Sequence, residues 1–288
     1  MVKMALALQG GGVRGAFTAG VLDVFLENGV VFPYVIGTSA GALTGVNYLS
    51  GDRGRSKFII CDLINDPKFL SLHNFLRKKT VFDFAYLLDV VPASIAPFSQ
   101  KQFDESPIDF YAVATGLEDG KAHYFRKKDC KEFMKGVSAS ASLPLLSKPV
   151  MVEGKPFLDG GPVDSIPFRK PLKESVKKIV VVATRELGFR KKPLSSAKIR
   201  LCQQFYGDYP EFTKAFRKSV DVYNADSDLL EALEKEGRIF VIRPDQPVDV
   251  SPTEKNKKKL NALYEEGRRI ALERLPEMAR YLKEESHE

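Results

Sequence analysis

Cysteine and histidine are both scarce in this chain of 288 residues, at three each. Cys61, Cys130 and Cys202 are odd in number and widely spaced, which excludes a disulfide framework and a cysteine-based metal site. The expected state is three separate buried thiols in a reducing, cytoplasmic setting. Long apolar runs are also missing. Residues 30–46 carry no charge, but Pro33 breaks them and they are dense in Gly, Ser and Thr, so they do not read as a membrane span. The Ala-Leu-Ala-Leu run after Lys3 is too short for the core of a secretion signal. No cluster of His and Cys has ligand spacing, and no acidic calcium loop occurs, so neither a metal nor another cofactor is expected.

Charge of one sign is in excess. The net charge of +7 comes from clusters at 77–79, 126–128, 190–192 and 255–259. Such clusters either solvate the surface or meet anionic head groups, and peripheral contact with the inner face of a membrane is the partner reading they allow. No nucleic-acid-binding signature accompanies them, so nucleic acid is not expected. The sequence does not set the oligomeric state.

Several segments have clear local patterns. Met4 to Leu8 reads as a short buried strand, Gly10-Gly11-Gly12 as a turn, and Val13 to Glu27 as a helix closed by Asn28-Gly29. A second strand runs to Ile36. Further strands are expected at Phe110–Thr115, Ala122–Phe125, Ile179–Thr184 and Ile239–Ile242, with helical stretches between them. This alternation predicts an α/β fold of three layers, a mostly parallel central sheet with helices on both faces. Residues 194–237 and 253–285 read as helical and charge-rich. The expected organisation is a catalytic α/β unit over 1–185 and a helical C-terminal extension over 186–288 that returns one strand, 239–243, to the same sheet.

The chemistry begins at residues 37–41, Gly-Thr-Ser-Ala-Gly, which follow the second strand and lead into a helix from about Ala40 to Ser50. Strand, Gly-x-Ser-x-Gly and helix make a nucleophile elbow. Gly37 and Gly41 permit the tight turn, and Ser39 stands at its apex as the candidate nucleophile. Gly10, Gly11 and Gly12 end the first strand and open a helix, so their amides are candidates for an oxyanion hole. Arg14, one step further, could add charge there or touch a phosphate.

The same glycines also fit the Gly-x-Gly-x-x-Gly dinucleotide fingerprint. That reading needs an acidic residue at the end of the second strand, where this chain has the elbow instead. Histidine then limits the type of hydrolase. None precedes Ser39, and of His73, His123 and His287 only the last follows Asp159, at the very end of a charged tail. The base is therefore sought among carboxylates. Asp159 lies in Phe157-Leu158-Asp159-Gly160-Gly161, which on local sequence alone reads as an Asp-Gly turn.

Four blocks in order, Gly-Gly-Gly-Val-Arg-Gly at 10–15, Gly-Thr-Ser-Ala-Gly at 37–41, Ser-Ala-Ser-Ala-Ser-Leu-Pro at 138–144 and Asp-Gly-Gly at 159–161, resemble the patatin-like phospholipase family. The resemblance covers about residues 4–185, with a looser match around Ile-Arg-Pro at 242–244. It implies a Ser39–Asp159 dyad, an oxyanion hole at Gly10–Gly12, Arg14 as the family's basic residue, and metal-free hydrolysis of lipid acyl esters. The alternatives are an esterase or thioesterase on soluble acyl substrates, and a regulatory module that keeps the site with little turnover. The aromatic stretch from Val81 to Pro92, with Ile95 and Phe98, either walls an acyl pocket or packs a helix on the sheet.

Overall fold

A computed structural model of the chain describes residues 4–66, 68, 91 and 95–284. Strand β1 (Met4–Leu8) leads through the glycine turn into helix α1 (Gly15–Glu27), and β2 (Tyr34–Thr38) leads through the elbow into α2 (Ala40–Leu49). Then come β3 (Asp109–Gly116), β4 (Ala122–Arg126), α3 (Phe133–Ala141), β5 (Val150–Val152), β6 (Lys155–Asp159) and β7 (Lys178–Val182). The last part contains α4 (Ser196–Tyr206), α5 (Pro210–Lys235), β8 (Ile239–Ile242) and α6 (Lys257–Lys283). Short helical turns link some of these elements.

The strands form one sheet in the order β5-β6-β3-β2-β1-β7-β8, with β4 on the other edge of β3. All pairings from β3 to β8 along that order are parallel, and β4, β5 and β6 add antiparallel ones. Side-chain alternation divides the core in two, as period-2 strands require. Leu6, Leu8, Val35, Phe110 and Ala112 face a core shared with α1, α2, α3 and α6. Ala5, Ala7, Ile36, Tyr111 and Val113 face the opposite core, which Tyr223, Leu230 and Leu233 of α5 cover. The fold is thus the three-layer α/β arrangement with a mostly parallel sheet and a helical C-terminal region.

The sequence pattern missed one hairpin. Val150–Val152 and Lys155–Asp159 pair antiparallel across Glu153-Gly154, both of which have positive φ (48° and 81°), as a two-residue hairpin loop demands. Asp159 is therefore the last residue of a strand and not merely part of a glycine turn. The expected helical stretch at 194–237 is also two helices, parted at Gly207–Tyr209, with Pro210 in the first turn of α5 where its missing N–H costs nothing. Cys61 and Cys202 are buried free thiols, whereas Cys130 is only half-buried. Of the aromatic stretch from Val81 to Pro92, all but Val91 lies outside the described residues. Val91 is buried, Ile95 is exposed, and Phe98 packs on Phe103 with ring centroids 5.6 Å apart.

Helix α6 is built into the first core. It crosses α1 where both helices carry glycine: a Cβ on Gly20 would stand 2.2 Å from the Tyr264 carbonyl oxygen, and one on Gly267 would stand 2.2 Å from that of Phe17. Tyr264 Oη donates to Asp23 Oδ2 at 2.7 Å, and Tyr281 Oη accepts from the Ile179 N–H at 3.0 Å, tying the helix to α1 and β7. Because backbone meets backbone at the crossing, Gly267→Val is expected to destabilise the protein by about 1–3 kcal/mol, the usual cost of overpacking a core. Urea denaturation midpoints of the two proteins test this. An unchanged midpoint would mean that α6 does not hold this crossing in solution.

Candidate active site

Ser39 sits where β2 gives way to α2. Its backbone has φ 57° and ψ −124°, a region that costs a non-glycine residue roughly 1–3 kcal/mol and persists only where the surroundings impose it. The surroundings are Gly37 and Gly41: a Cβ on Gly37 would lie 2.5 Å from the Gly41 carbonyl group, and one on Gly41 would lie 2.3 Å from the Leu8 carbonyl oxygen. Helix α2 can therefore turn back hard against β1. The Ser39 carbonyl accepts the N–H groups of Ala42 and Leu43, which closes the first turn of α2. The N-terminal end of that helix faces the serine.

Asp159 reaches Ser39 through strand register. Strand β2 covers one edge of β3 as far as the Thr38–Val113 pair. The next residue of β3, Ala114, pairs with Asp159 of β6. Since β4 occupies the other edge of β3 over Tyr111–Thr115, β2 and β6 lie end to end along a single edge. Ser39 follows the end of one strand and Asp159 closes the other. The join is pinned by Thr38 Oγ1, which donates to the Asp164 carbonyl at 2.7 Å, and by Thr115 Oγ1, which donates to the Asp159 carbonyl at 2.7 Å.

The Ser-Ala-Ser-Ala-Ser segment braces both residues. Ser140 Oγ accepts the Ser39 N–H at 2.9 Å, and the Ser142 carbonyl accepts the Asp159 N–H at 2.8 Å. In sequence this segment is one of the four matching blocks, at 138–144, but these partners are distant in the chain and do not show there.

The Asp159 carboxylate is buried at 2% exposure. Oδ1 accepts the Gly161 N–H at 2.6 Å, while Oδ2 has no hydrogen-bond partner among the described residues. Burial pushes its pKa up to about 6, against the opposing pull of the nearby Ser39 hydroxyl, the Gly161 N–H and the Lys191 charge. The Ser39 hydroxyl lies close enough to favour the carboxylate without completing a hydrogen bond to it.

The glycine turn lies against this pair. A Cβ on Gly10 would be 3.2 Å from the Ser39 Cβ. The three amides expected at the turn are not equivalent, however: the Gly10 N–H donates to the Ser165 carbonyl at 3.0 Å. Among the described residues no backbone acceptor takes the N–H of Gly11 or of Gly12, which opens a single 3-10 turn over Gly12–Arg14. Gly12 has φ 59°, and the Pro252 carbonyl group crosses so close that any Cβ there would meet it at 2.3 Å. Arg14 is buried, its Nε and Nη1 have no partner among the described residues, and burial together with the charge of Arg185 lowers its pKa to about 10.

Among the described residues the one histidine, His123, has its partners elsewhere. His123 is on β4, where Nε2 pairs with Asp119 Oδ2 at 2.9 Å and the ring packs edge-on to Phe157. His73 and His287 lie outside the described residues. No group of three His, Cys, Asp or Glu side chains suited to a metal ion occurs among the described residues, and no helix there is long and apolar enough to cross a membrane. In two of the basic clusters the arginine is already paired, Arg126 with Asp109 and Asp129, and Arg190 with Asp228 and Glu231.

Residues 6–172 match the family model described as patatin-like phospholipase. The chain belongs to the patatin-like phospholipase family. A second model, a domain of unknown function, matches residues 209–283, which hold the whole of α5, β8 and α6. The uncharacterized protein YjjU of Escherichia coli is 30% identical over 188 residues, 63% of this chain and 52% of that protein. An uncharacterized NTE family protein of Mycobacterium tuberculosis is 28% identical over 166 residues, 58% of this chain and 44% of that protein. Lysophospholipase nte1 of Emericella nidulans is 28% identical over 176 residues, 57% of this chain and 10% of that protein. The chain thus spans about half the length of the first of these relatives and less of the others. In three dimensions it resembles VipD from Legionella pneumophila, with a TM-score of 0.51 at 15% identity over 95% of this chain and 67% of that one, a likeness of fold.

For this patatin-like chain, the cost of burying the Asp159 charge is measurable. Its folded pKa of about 6 lies above the ordinary 3.8, so the carboxylate is a burden on stability above pH 6 and none below about 4. Asp159→Asn keeps the acceptor for the Gly161 N–H and removes the charge. The variant is expected to resist urea better than the wild type at pH 8, with the gain shrinking as pH falls through 6. Equal stability of the two proteins across that range would place the carboxylate in a more solvated setting than described.

Proposed function

We propose that this chain is a serine acyl hydrolase that cleaves carboxylic esters of lipids by a two-residue mechanism. The observation that carries the reading is the buried, unpartnered Oδ2 of Asp159 beside a serine held on a strained elbow. The carboxylate has a raised pKa and so is a better base than an ordinary aspartate. The family membership and the lysophospholipase named among the relatives support a lipid ester as substrate.

Ser39 Oγ attacks the ester carbonyl carbon while its proton passes to Asp159. The N–H groups of Gly11 and Gly12, beside the positive end of α2, face the oxygen on which negative charge develops. The tetrahedral intermediate collapses, the carbon–oxygen bond of the leaving alcohol breaks, and Asp159 returns the proton to that alcohol. Water then attacks the acyl-serine, again giving its proton to Asp159; the bond from the acyl carbon to Ser39 Oγ breaks, Asp159 returns the proton to that oxygen, and the fatty acid leaves. No step in this sequence calls on a histidine.

Ser39→Ala is expected to abolish ester hydrolysis and labelling by a fluorophosphonate probe while the circular dichroism spectrum stays unchanged. Hydrolysis retained by the pure folded variant would move the nucleophile elsewhere. With Asp159 as base, kcat/KM should fall as pH drops through about 6, because the protonated acid cannot take the serine proton. The same Asp159→Asn variant should lose roughly 10²–10⁴-fold in kcat or more. Replacing His73, His123 and His287 together should leave turnover within a small factor. A loss on the scale of Asp159→Asn in that histidine-free protein would identify an imidazole as the base.

A further inference from the structure

Helix α4 turns apolar side chains outward. Among the described residues seven large apolar side chains are exposed, and only Leu201 (41%) and Phe205 (53%) share a helix. Val31, Ile95, Met151, Leu187 and Leu272 lie on other elements or loops. Scattered apolar residues are ordinary on a protein surface, whereas a cluster marks a contact. Leu201 and Phe205 are four residues apart, so they stack on one face of the helix, one turn above the other. Ala197, also exposed, continues the row a turn earlier. Cys202 and Tyr206 turn toward the protein and are buried.

The charge around this row has one sign. From Leu187 to Gly207 the chain has five Lys and Arg residues and no Asp or Glu. Arg190 pairs with acids on α5 and Lys191 turns inward to Tyr223. Lys192, Lys198 and Arg200 are exposed and have no ion pair among the described residues. At about 100° per residue, Lys198 and Arg200 fall on either side of the apolar row. Arg217 of α5 joins them, donating to Gln203 Oε1 on α4. The first acids on either side in the chain, Glu186 and Asp208, lie beyond both ends of the helix.

The inner face of α4 rests on the structure that carries Asp159. Leu158 shares a small core with Cys202 and Tyr206, while Asp159, next along β6, turns the other way. Tyr206 Oη accepts the Leu145 N–H at 3.0 Å, three residues past Ser142, whose carbonyl accepts the Asp159 N–H. Whatever the outer face meets is thus held close to the candidate active site.

We propose that the outer face of α4 docks on the anionic surface of a lipid bilayer, with Leu201 and Phe205 entering the acyl boundary and Lys198 and Arg200 meeting the head groups. Leu or Phe beside Lys and Arg is the make-up of a helix that lies in a membrane interface. A soluble polyanion would take the cations and leave the apolar pair in water. A second copy of this chain, face to face, would bring like charges together. The helix lies outside both matched family segments, 6–172 and 209–283. The docking adds a partner to the hydrolase reading and does not need that reading to hold.

The test is co-sedimentation of the full chain with vesicles of ether-linked lipids, which contain no carboxylic ester to hydrolyse. Binding to an equimolar mixture of phosphatidylglycerol and phosphatidylcholine should exceed binding to phosphatidylcholine alone, and should weaken as salt rises. Phe205→Ser should lower the affinity about tenfold or more, the scale of one buried aromatic side chain. Lys198→Gln and Arg200→Gln should each lower it about fivefold, the scale of one cation near an anionic surface. Leu272→Ser, which removes a similarly exposed apolar side chain from α6, should bind as the wild type does. If Phe205→Ser lowers the urea midpoint, the two charge variants decide. Equal binding to both kinds of vesicle, or wild-type affinity in the α4 variants, overturns the proposal. So does an equal loss in Leu272→Ser, which would spread the contact beyond α4. A wild-type dimer without vesicles that Phe205→Ser dissolves would give the face to a second copy instead. Because no readout needs turnover, a failure of the hydrolase reading would leave this result standing, and the reverse.

Discussion

The site depends on one edge of one strand. Strand β3 is longer than β2, and the length it has to spare is taken by β6 running the other way. The gap between two strands laid end to end becomes the place where Ser39 and Asp159 meet. Their separation is set by backbone pairing, which cannot drift by less than a residue, and a one-residue slip would turn Asp159 to the opposite face. Such a join would suit the proposed mechanism with only two side chains, since backbone pairing and the Gly161 N–H hold the carboxylate in place. Thr38 and Thr115 hold the junction from the β2 and β3 sides, and the small-residue end of α3 holds it from above.

The electrostatics of the pair are a balance of opposed demands. The base of the proposed mechanism must be strong, and burial makes Asp159 stronger. A base must also be ionised, and burial works against that. One backbone N–H and one nearby ammonium relieve the burden without pairing fully with the carboxylate. A direct salt bridge to Oδ2 would have made the carboxylate easier to ionise and poorer at accepting a proton. Lys191 supplies its charge at a remove while it rests on Tyr223.

What the sequence revealed was local, and what it hid was long-range. The elbow and the glycine turn are legible because a tight backbone needs glycine at fixed short spacings. The parallel strands are legible because burial on both faces makes them apolar throughout. The β5–β6 hairpin escaped notice since its strands are three and five residues long and contain Lys155 and Pro156, leaving no alternation to read. The role of the Gly10 amide could not be read either, as its acceptor Ser165 is distant in the chain. In Arg190-Lys191-Lys192 three like residues adjoin, yet Arg190 pairs with acids on α5 while Lys191 turns to Tyr223. Composition cannot separate them; only the face of α5 that each one meets does so.

The closeness of Pro252 to the glycine turn bears on the order in which the molecule becomes complete. The Val13 N–H donates to the Pro252 carbonyl, and α6, just beyond, closes over α1. A growing chain can lay down β1, the elbow and the Asp159 strand long before residue 252 exists. Throughout that interval the turn that carries Gly11 and Gly12 lacks its outer wall. A segment synthesised much later is then what sets the glycine turn, and the nascent protein carries its serine and its aspartate for some time before the turn beside them is fixed.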